Sequence, residues 1–75
     1  MISSIDKQVA MRVRRLRDGA GLSLDAAASM SGLDQRVYAA SENGRRRFQS
    51  HELLKLTKGL NISISELYRG LPQAD

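Results

Sequence analysis

Arginine is the residue type in this sequence whose chemistry is most informative. Nine of the twelve positively charged residues are arginine, and the 75-residue chain has a formal net charge of +4. The densest run, Arg45-Arg46-Arg47, directly follows a glycine. A guanidinium group presents a planar set of donors that fits phosphate oxygens or the edge of a guanine. The composition therefore favours a phosphate-bearing partner; the alternative is a solvated loop that complements the negative end of a helix.

Other chemically active residue types are sparse. The sequence contains no cysteine, which excludes disulfides and thiolate metal sites, and its one histidine, His51, has no partner histidine for a metal site. No pair of acids, no nucleophile beside a base and no glycine-rich phosphate loop is recognisable, so we expect neither an enzyme nor a cofactor or metal site. No apolar run approaches the roughly twenty residues of a membrane span, and no signal peptide opens the chain. We therefore expect a cytoplasmic protein with no membrane partner.

The stretch before the arginine run predicts the two helices that would hold this loop in place. Ser23 can cap one helix, and Gly32 ends it because glycine takes the left-handed conformation of a sharp exit. Asp34 can cap a second helix that Gly44 ends. Two short helices joined by a glycine turn form a helix-turn-helix, whose second helix can lie in a major groove of DNA. The motif spans about 23–43, and an ordinary helical hairpin is the alternative interpretation at this point.

Three further helices complete the predicted fold. The first is capped by Ser3 or Ser4 and runs to about residue 18, with a buried stripe formed by Val9, Val13 and Leu16. The fourth is capped by Ser50 and carries a broad apolar stripe formed by Leu53, Leu54, Leu56 and Leu60. Ser63 and Glu66 have the spacing of a capping box for a short fifth helix. We predict a single all-α domain over 1–75, a compact bundle of five helices, with flexible ends at 1–4 and 72–75.

Several motifs in this order carry a family resemblance. They are Val13-Arg14-Arg15-Leu16-Arg17, Gly21-Leu22-Ser23, Ala28, Gly32-Leu33, Glu42-Asn43-Gly44, Leu56 and Leu60-Asn61-Ile62-Ser63-Ile64-Ser65-Glu66-Leu67. Together they resemble the Cro and phage-repressor helix-turn-helix family, also called the XRE family, over about residues 9–67. A helical hairpin imitates one or two of these motifs but not the ordered set. The resemblance implies a lambda-repressor-like fold that binds double-stranded DNA.

The resemblance also implies roles for individual residues. Arg17 and Glu42 match a partly buried ion pair that joins the first helix to the third. Phosphate contacts are implied for Ser23, Asn43, Arg45, Arg46 and Arg47. Base contacts are implied for Asp34, Gln35, Arg36, Ala39 and Ala40. Of these, Gln35 suits an adenine edge, Arg36 suits a guanine edge, and an alanine suits a thymine methyl group.

The sequence departs from the family pattern at a few positions. Leu24 stands where a phosphate-holding glutamine is common, and core positions that are usually larger or more apolar are occupied by Ala27, Ser41 and Thr57. We expect Tyr38 and Met30 to fill the resulting space, with the Tyr38 hydroxyl near the surface.

Two functions of different classes follow. The first is a transcriptional regulator of repressor or controller type that binds a palindromic operator as a homodimer, with third helices about 34 Å apart in successive major grooves. Its dimer interface is predicted at the apolar C-terminal segment, at Ile62, Ile64, Leu67, Tyr68 and Leu71, unless these residues only close the core. The second is an antitoxin or bridging module of the same fold, whose main partner is a protein such as a toxin and whose DNA binding is secondary.

Overall fold

The computed structural model of the protein describes residues 2–71, and these residues form five α-helices without any strand. The helices are α1 (Ser4–Gly19), α2 (Leu24–Ser31), α3 (Gln35–Glu42), α4 (Ser50–Gly59) and α5 (Ile64–Tyr68). The predicted all-α, five-helix architecture is confirmed. Ser4 already belongs to α1, so the helix begins within the segment 1–4 that we predicted to be flexible. The predicted flexible segment 72–75 lies outside the described residues.

Side-chain caps define the starts of four helices. Ser3 Oγ accepts a hydrogen bond from the Asp6 amide at 3.1 Å, and the Asp6 carboxylate accepts one from the Ser3 amide at 3.2 Å. Ser23, Asp34 and Ser63 each accept a bond from the backbone amide three residues further on, at 2.8 to 3.2 Å. Each cap satisfies one of the amides that a helix start leaves without an intrahelical partner. Helix starts predicted from local sequence are therefore reproduced at these positions.

Helix α4 begins differently from our prediction. Its N-cap is Gln49, and Ser50 is the first helical residue. The reason is Glu52, whose carboxylate reaches back to accept a hydrogen bond from the Gln49 amide at 2.8 Å. A glutamate at the third helical position satisfies the cap residue's own amide, which fixes the start one residue earlier than a serine cap at Ser50 would.

Left-handed residues make the turns that bring the helices together. Gly32 has a φ of 77° and ends α2, and the Leu33 amide then bonds to the Ala28 carbonyl at 2.9 Å. Asn61, with a φ of 59°, makes the exit from α4 in the same conformation. The Gly32 exit lets α3 pack against α2, and the Asn61 exit lets α5 pack against α4.

The core lies between α1, the helix-turn-helix and α4. Its fully enclosed side chains include Val13, Tyr38, Leu56 and Leu67. Phe48 enters from the loop after α3 and meets the ring of Tyr38 edge to face, with ring centroids 5.7 Å apart. The buried apolar residues that α2 adds to the core are alanines. The rings of Tyr38 and Phe48 and the half-buried Met30 pack in the same core.

Two predictions about the core are wrong. Leu54 is 54% exposed, because the buried stripe of α4 runs through Leu53, Leu56 and Thr57 and leaves Leu54 on the outer face. The Tyr38 hydroxyl is buried rather than near the surface. Its ring stands at the centre of the domain, so the hydroxyl ends next to α1 and not in solvent.

Two searches over the described residues bear on other functions. In residues 2–71 no helix combines the length and the apolar character that crossing a bilayer requires. Within the same range no group of histidine and acidic side chains is arranged to hold a metal ion.

Candidate nucleic-acid interface

Helix α3 divides cleanly into an inner and an outer side. Tyr38, Ser41 and Glu42 are buried against the rest of the domain. On the outer side, Asp34, Gln35, Arg36 and Ala39 line one open depression at the start of the helix. The structure thus brings together four of the residues for which base contacts were predicted, and half-buried Ala40 lies beside them on the same helix.

The polar side chains in this depression differ in whether they are already hydrogen bonded within the protein. Asp34 Oδ1 accepts the Val37 amide at 2.8 Å, so its carboxylate is engaged as the helix cap. Gln35 and Arg36 are exposed and make no side-chain hydrogen bond or ion pair within residues 2–71. Ala39 presents only a methyl group. The chemistry available to a groove of DNA is therefore one amide, one guanidinium and small apolar surface.

An ion pair anchors the inner side of α3. Arg17 Nε lies 2.8 Å from Glu42 Oε2, and Arg17 Nη2 lies 3.0 Å from Oε1, so the pair is bidentate. The two side chains are 12% and 4% exposed. Arg17 Nη1 also donates to the Leu22 carbonyl at 2.9 Å, and the hydrogen bond to Glu42 raises the pKa of Arg17. The ion pair implied by the family resemblance is thus present, and it ties α3 both to α1 and to the turn that precedes α2.

Tyr38 lies next to this pair. Burial raises the pKa of its hydroxyl far above the usual value, and the Glu42 carboxylate raises it further. The hydroxyl is therefore neutral at any physiological pH. It makes no hydrogen bond with residues 2–71, although it is completely enclosed.

The three consecutive arginines occupy three different environments. Arg45 is exposed, without an ion pair in the described part of the chain. Arg47 is 60% exposed and pairs with Asp6 of α1 at 3.1 Å. Arg46 turns inward. Its guanidinium makes two bonds to the buried Glu52 carboxylate, at 2.9 and 2.8 Å, and one to Ser41 Oγ at 2.8 Å.

This network revises our prediction for Arg46. Both of its terminal nitrogens are bonded to Glu52 or Ser41, so Arg46 holds the loop in place and is not a free phosphate ligand, although its side chain is 31% exposed. The hydrogen bond from Arg46 also lowers the pKa of Glu52, which keeps that buried carboxylate ionised. Sequence analysis missed the role of Glu52. The available signal was an acid in the first turn of α4, six residues after an arginine and within reach of it only if the loop folds back.

The remaining residues of the predicted phosphate surface flank α3. Asn43 is the exposed C-cap of α3. Ser23 is exposed at the start of α2, and its oxygen accepts the Ala26 amide at 3.0 Å, which leaves its O–H as a donor. Leu24 is half buried and packs on the core. It supplies no polar contact at the position where the family resemblance implies a phosphate-holding glutamine.

The predicted dimer residues do not form one exposed surface. Leu67 is completely buried in the core, so it is unavailable for an interface, and that part of the prediction is wrong. Ile64 and Leu71 are half buried and pack against the core. Ile62 is half buried and Tyr68 is 43% exposed. The short helix thus closes the core with one face and leaves Tyr68 outward.

Comparison with known proteins agrees with this geometry. A helix-turn-helix family model matches residues 13–67. The chain belongs to this family. As a member of the helix-turn-helix family it is a DNA-binding transcriptional regulator and not an enzyme, as predicted.

Individual relatives are similar over most of their length. The control protein C.MunI from a Mycoplasma species is 34% identical over 58 residues, which is 76% of this chain and 78% of that protein. The restriction-modification controller protein C.AhdI from Aeromonas hydrophila superposes with a TM-score of 0.74 at 36% identity, covering 84% of this chain and 94% of the other. The clp gene regulator ClgR from Corynebacterium glutamicum has a TM-score of 0.80 at 19% identity, covering 89% and 71%. The last similarity concerns the fold alone.

Proposed function

We propose that this protein is a controller of the restriction-modification type that binds a palindromic operator as a homodimer. The observation that carries the proposal is the outer face of α3, where Gln35 and Arg36 are exposed and free of internal partners. Two of its relatives are a control protein and a restriction-modification controller, which supports the regulatory class.

In this proposal the base contacts come from the first turn of α3. Arg36 donates two hydrogen bonds to O6 and N7 of a guanine, and Gln35 pairs with N6 and N7 of an adenine. Ala39 and Ala40 allow the helix to approach closely and to meet a thymine methyl group. Asp34 contributes by capping the helix, because its oxygen is already bonded to the Val37 amide.

Phosphate contacts then flank this helix on both sides. Ser23 lies at the start of α2, where amides of the first turn and the free O–H face outward. Asn43 and Arg45 follow the end of α3. Arg47 joins them through its terminal nitrogens, because only its Nε is bonded to Asp6 and its side chain is 60% exposed. These contacts position the protein but do not distinguish sequences.

A homodimer would place two copies of α3 on one face of the DNA. The proposed contact surface is the C-terminal segment, with Tyr68 as its exposed aromatic residue and the half-buried Ile62 and Leu71 as its other apolar residues. Two-fold symmetry of the protein requires a palindromic operator with half-site centres about 34 Å apart.

Selection of duplexes from a random pool at two salt concentrations tests the proposal. We expect an enriched palindrome whose affinity falls steeply as salt rises. On that operator, Arg36→Ala should cost about 1 to 3 kcal/mol per half-site at one base position. The matched variant Arg45→Ala should weaken all sequences alike and reduce the salt slope. Binding without enrichment would contradict sequence reading, and an enriched site without symmetry would contradict the dimer. Absence of DNA binding together with co-purification of a toxin-like protein would favour the antitoxin function.

A further inference from the structure

A second basic surface lies on α1, outside the helix-turn-helix. A groove runs between α1 and the end of α3, and its walls include Lys7 and Arg14 from α1 and Asn43 and Gly44 from the exit of α3. Lys7 and Arg14 are seven residues apart, so they lie on the same face of the helix, two turns from each other. Both side chains are exposed.

The groove is continuous with the loop that follows α3. A Cβ atom placed on Gly44 would lie 3.6 Å from Lys7 Cγ, so the aliphatic part of Lys7 packs over this glycine. Arg45, which is exposed, is the next residue along the chain. The basic loop therefore adjoins the exposed cations of α1 at Gly44.

The acids near this groove are all neutralised by other partners. Glu42 lines the groove but is held by Arg17 at 2.8 Å. Asp6, next to Lys7 in sequence, is paired with Arg47 at 3.1 Å. Lys7 and Arg14 form no ion pair within residues 2–71. Two uncompensated cations beside an exposed asparagine amide fit an anionic ligand with several oxygen acceptors, such as a phosphate of the DNA backbone.

We propose that Lys7 and Arg14 bind the DNA backbone next to the phosphates contacted by Asn43 and Arg45. This inference rests on the proposed function, because it assigns α1 to the same DNA complex. It makes the first helix a part of the interface, in addition to its packing role. An acidic segment of a protein partner is the competing ligand for such a groove, and continuity with the loop after α3 favours DNA.

The test compares two neighbouring arginines of α1. Arg14→Gln removes a charge from the groove. Arg15→Gln removes the same charge from an equally exposed position that lines a different depression, beside Arg12 and Leu71. Binding of the full chain to its selected operator is measured by fluorescence anisotropy over a series of salt concentrations, after circular dichroism shows that each variant is folded at the assay temperature.

The expected result is a smaller salt dependence for one variant only. Each lost phosphate contact makes the negative slope of log K against log salt less steep by about 0.9. A dimer loses two such contacts, so Arg14→Gln should make the slope less steep by about 2. Lys7→Gln should act in the same way, while Arg15→Gln leaves the slope near that of the wild type. The preferred sequence should be the same for all variants.

Equal slopes for Arg14→Gln, Lys7→Gln and Arg15→Gln would overturn the inference and leave the proposed function intact. If the wild-type chain enriches no sequence, the proposed function itself fails. If the groove variants lose an acidic protein partner while their DNA binding is unchanged, the groove belongs to that partner and the inference is wrong.

Discussion

Replacing Glu42 with alanine should destabilise the domain by about 3 kcal/mol, because it removes the bidentate partner of the buried Arg17 and leaves only the exposed Asp18 carboxylate, 3.4 Å away. Removing one member of a buried pair costs about 3 to 5 kcal/mol in general. Here the loss comprises two charge-assisted hydrogen bonds of 2.8 and 3.0 Å. The lower part of the range applies because Arg17 keeps its bond to the Leu22 carbonyl and is 12% exposed.

A loss of this size is a large fraction of the domain's total free energy of unfolding. A domain of 75 residues has an unfolding free energy of about 4 to 11 kcal/mol. Urea denaturation at low temperature should show a much lower midpoint with an unchanged m value. Asp25→Ala, which removes an exposed acid from the first turn of α2, is the control for charge and should cost less than about 1 kcal/mol.

A double variant separates the buried charge from the loss of packing. Arg17→Met combined with Glu42→Leu removes both charges and should recover most of the stability that Glu42→Ala loses. A cost below about 1 kcal/mol for Glu42→Ala would refute the reasoning, since it would mean that Asp18 and the Leu22 carbonyl alone satisfy the buried guanidinium.

Three further outcomes are expected. The hydrogen bond from Arg46 lowers the pKa of Glu52 below its ordinary 4.5, so the unfolded chain binds more protons and the stability from this pair is lost as pH falls below about that value. Glu52→Gln should therefore flatten this part of the acid-unfolding curve, and a curve parallel to that of the wild type would contradict the contact. Gly32→Ala should destabilise by about 1 to 2 kcal/mol because of its φ of 77°, whereas Gly19→Ala, with open space around it, should be neutral or stabilising in the same thermal melts. Tyr38→Phe should stabilise by about 1 kcal/mol because it removes an enclosed hydroxyl without a partner, and a loss of stability would show that the hydroxyl is hydrogen bonded.

Local chemistry explains why much of this fold is predictable from sequence. A cap at Ser23 or Asp34 depends on the residue itself and on the amide three positions later, so neighbours in the chain decide it. The same holds for the left-handed exits at Gly32 and Asn61. The buried face of α4 was harder to predict from sequence. Either residue of the pair Leu53-Leu54 can belong to an apolar stripe, and only packing against the neighbouring helices decides which one is buried.

Side-chain direction in the arginine run depends on distant residues. Arg45 and Arg46 are adjacent and chemically identical, yet only Arg46 reaches Glu52, and that contact exists because the loop folds back onto the start of α4. The buried Tyr38 hydroxyl has the same kind of cause, since its depth is fixed by the small alanines of α2 and by Phe48. These are tertiary effects that sequence spacing does not encode.

The buried acids set the geometry of the loop that we propose faces DNA. Glu42 fixes the end of α3 through Arg17, and Glu52 fixes the start of α4 through Arg46. The loop between these helices, which presents Arg45, is therefore held at both ends before any ligand arrives. A held loop loses less conformational entropy on binding than a free one, so in the proposed complex part of the affinity for phosphate originates in the protein interior. Inward-facing arginines are thus as much a requirement of the interface as the outward-facing ones.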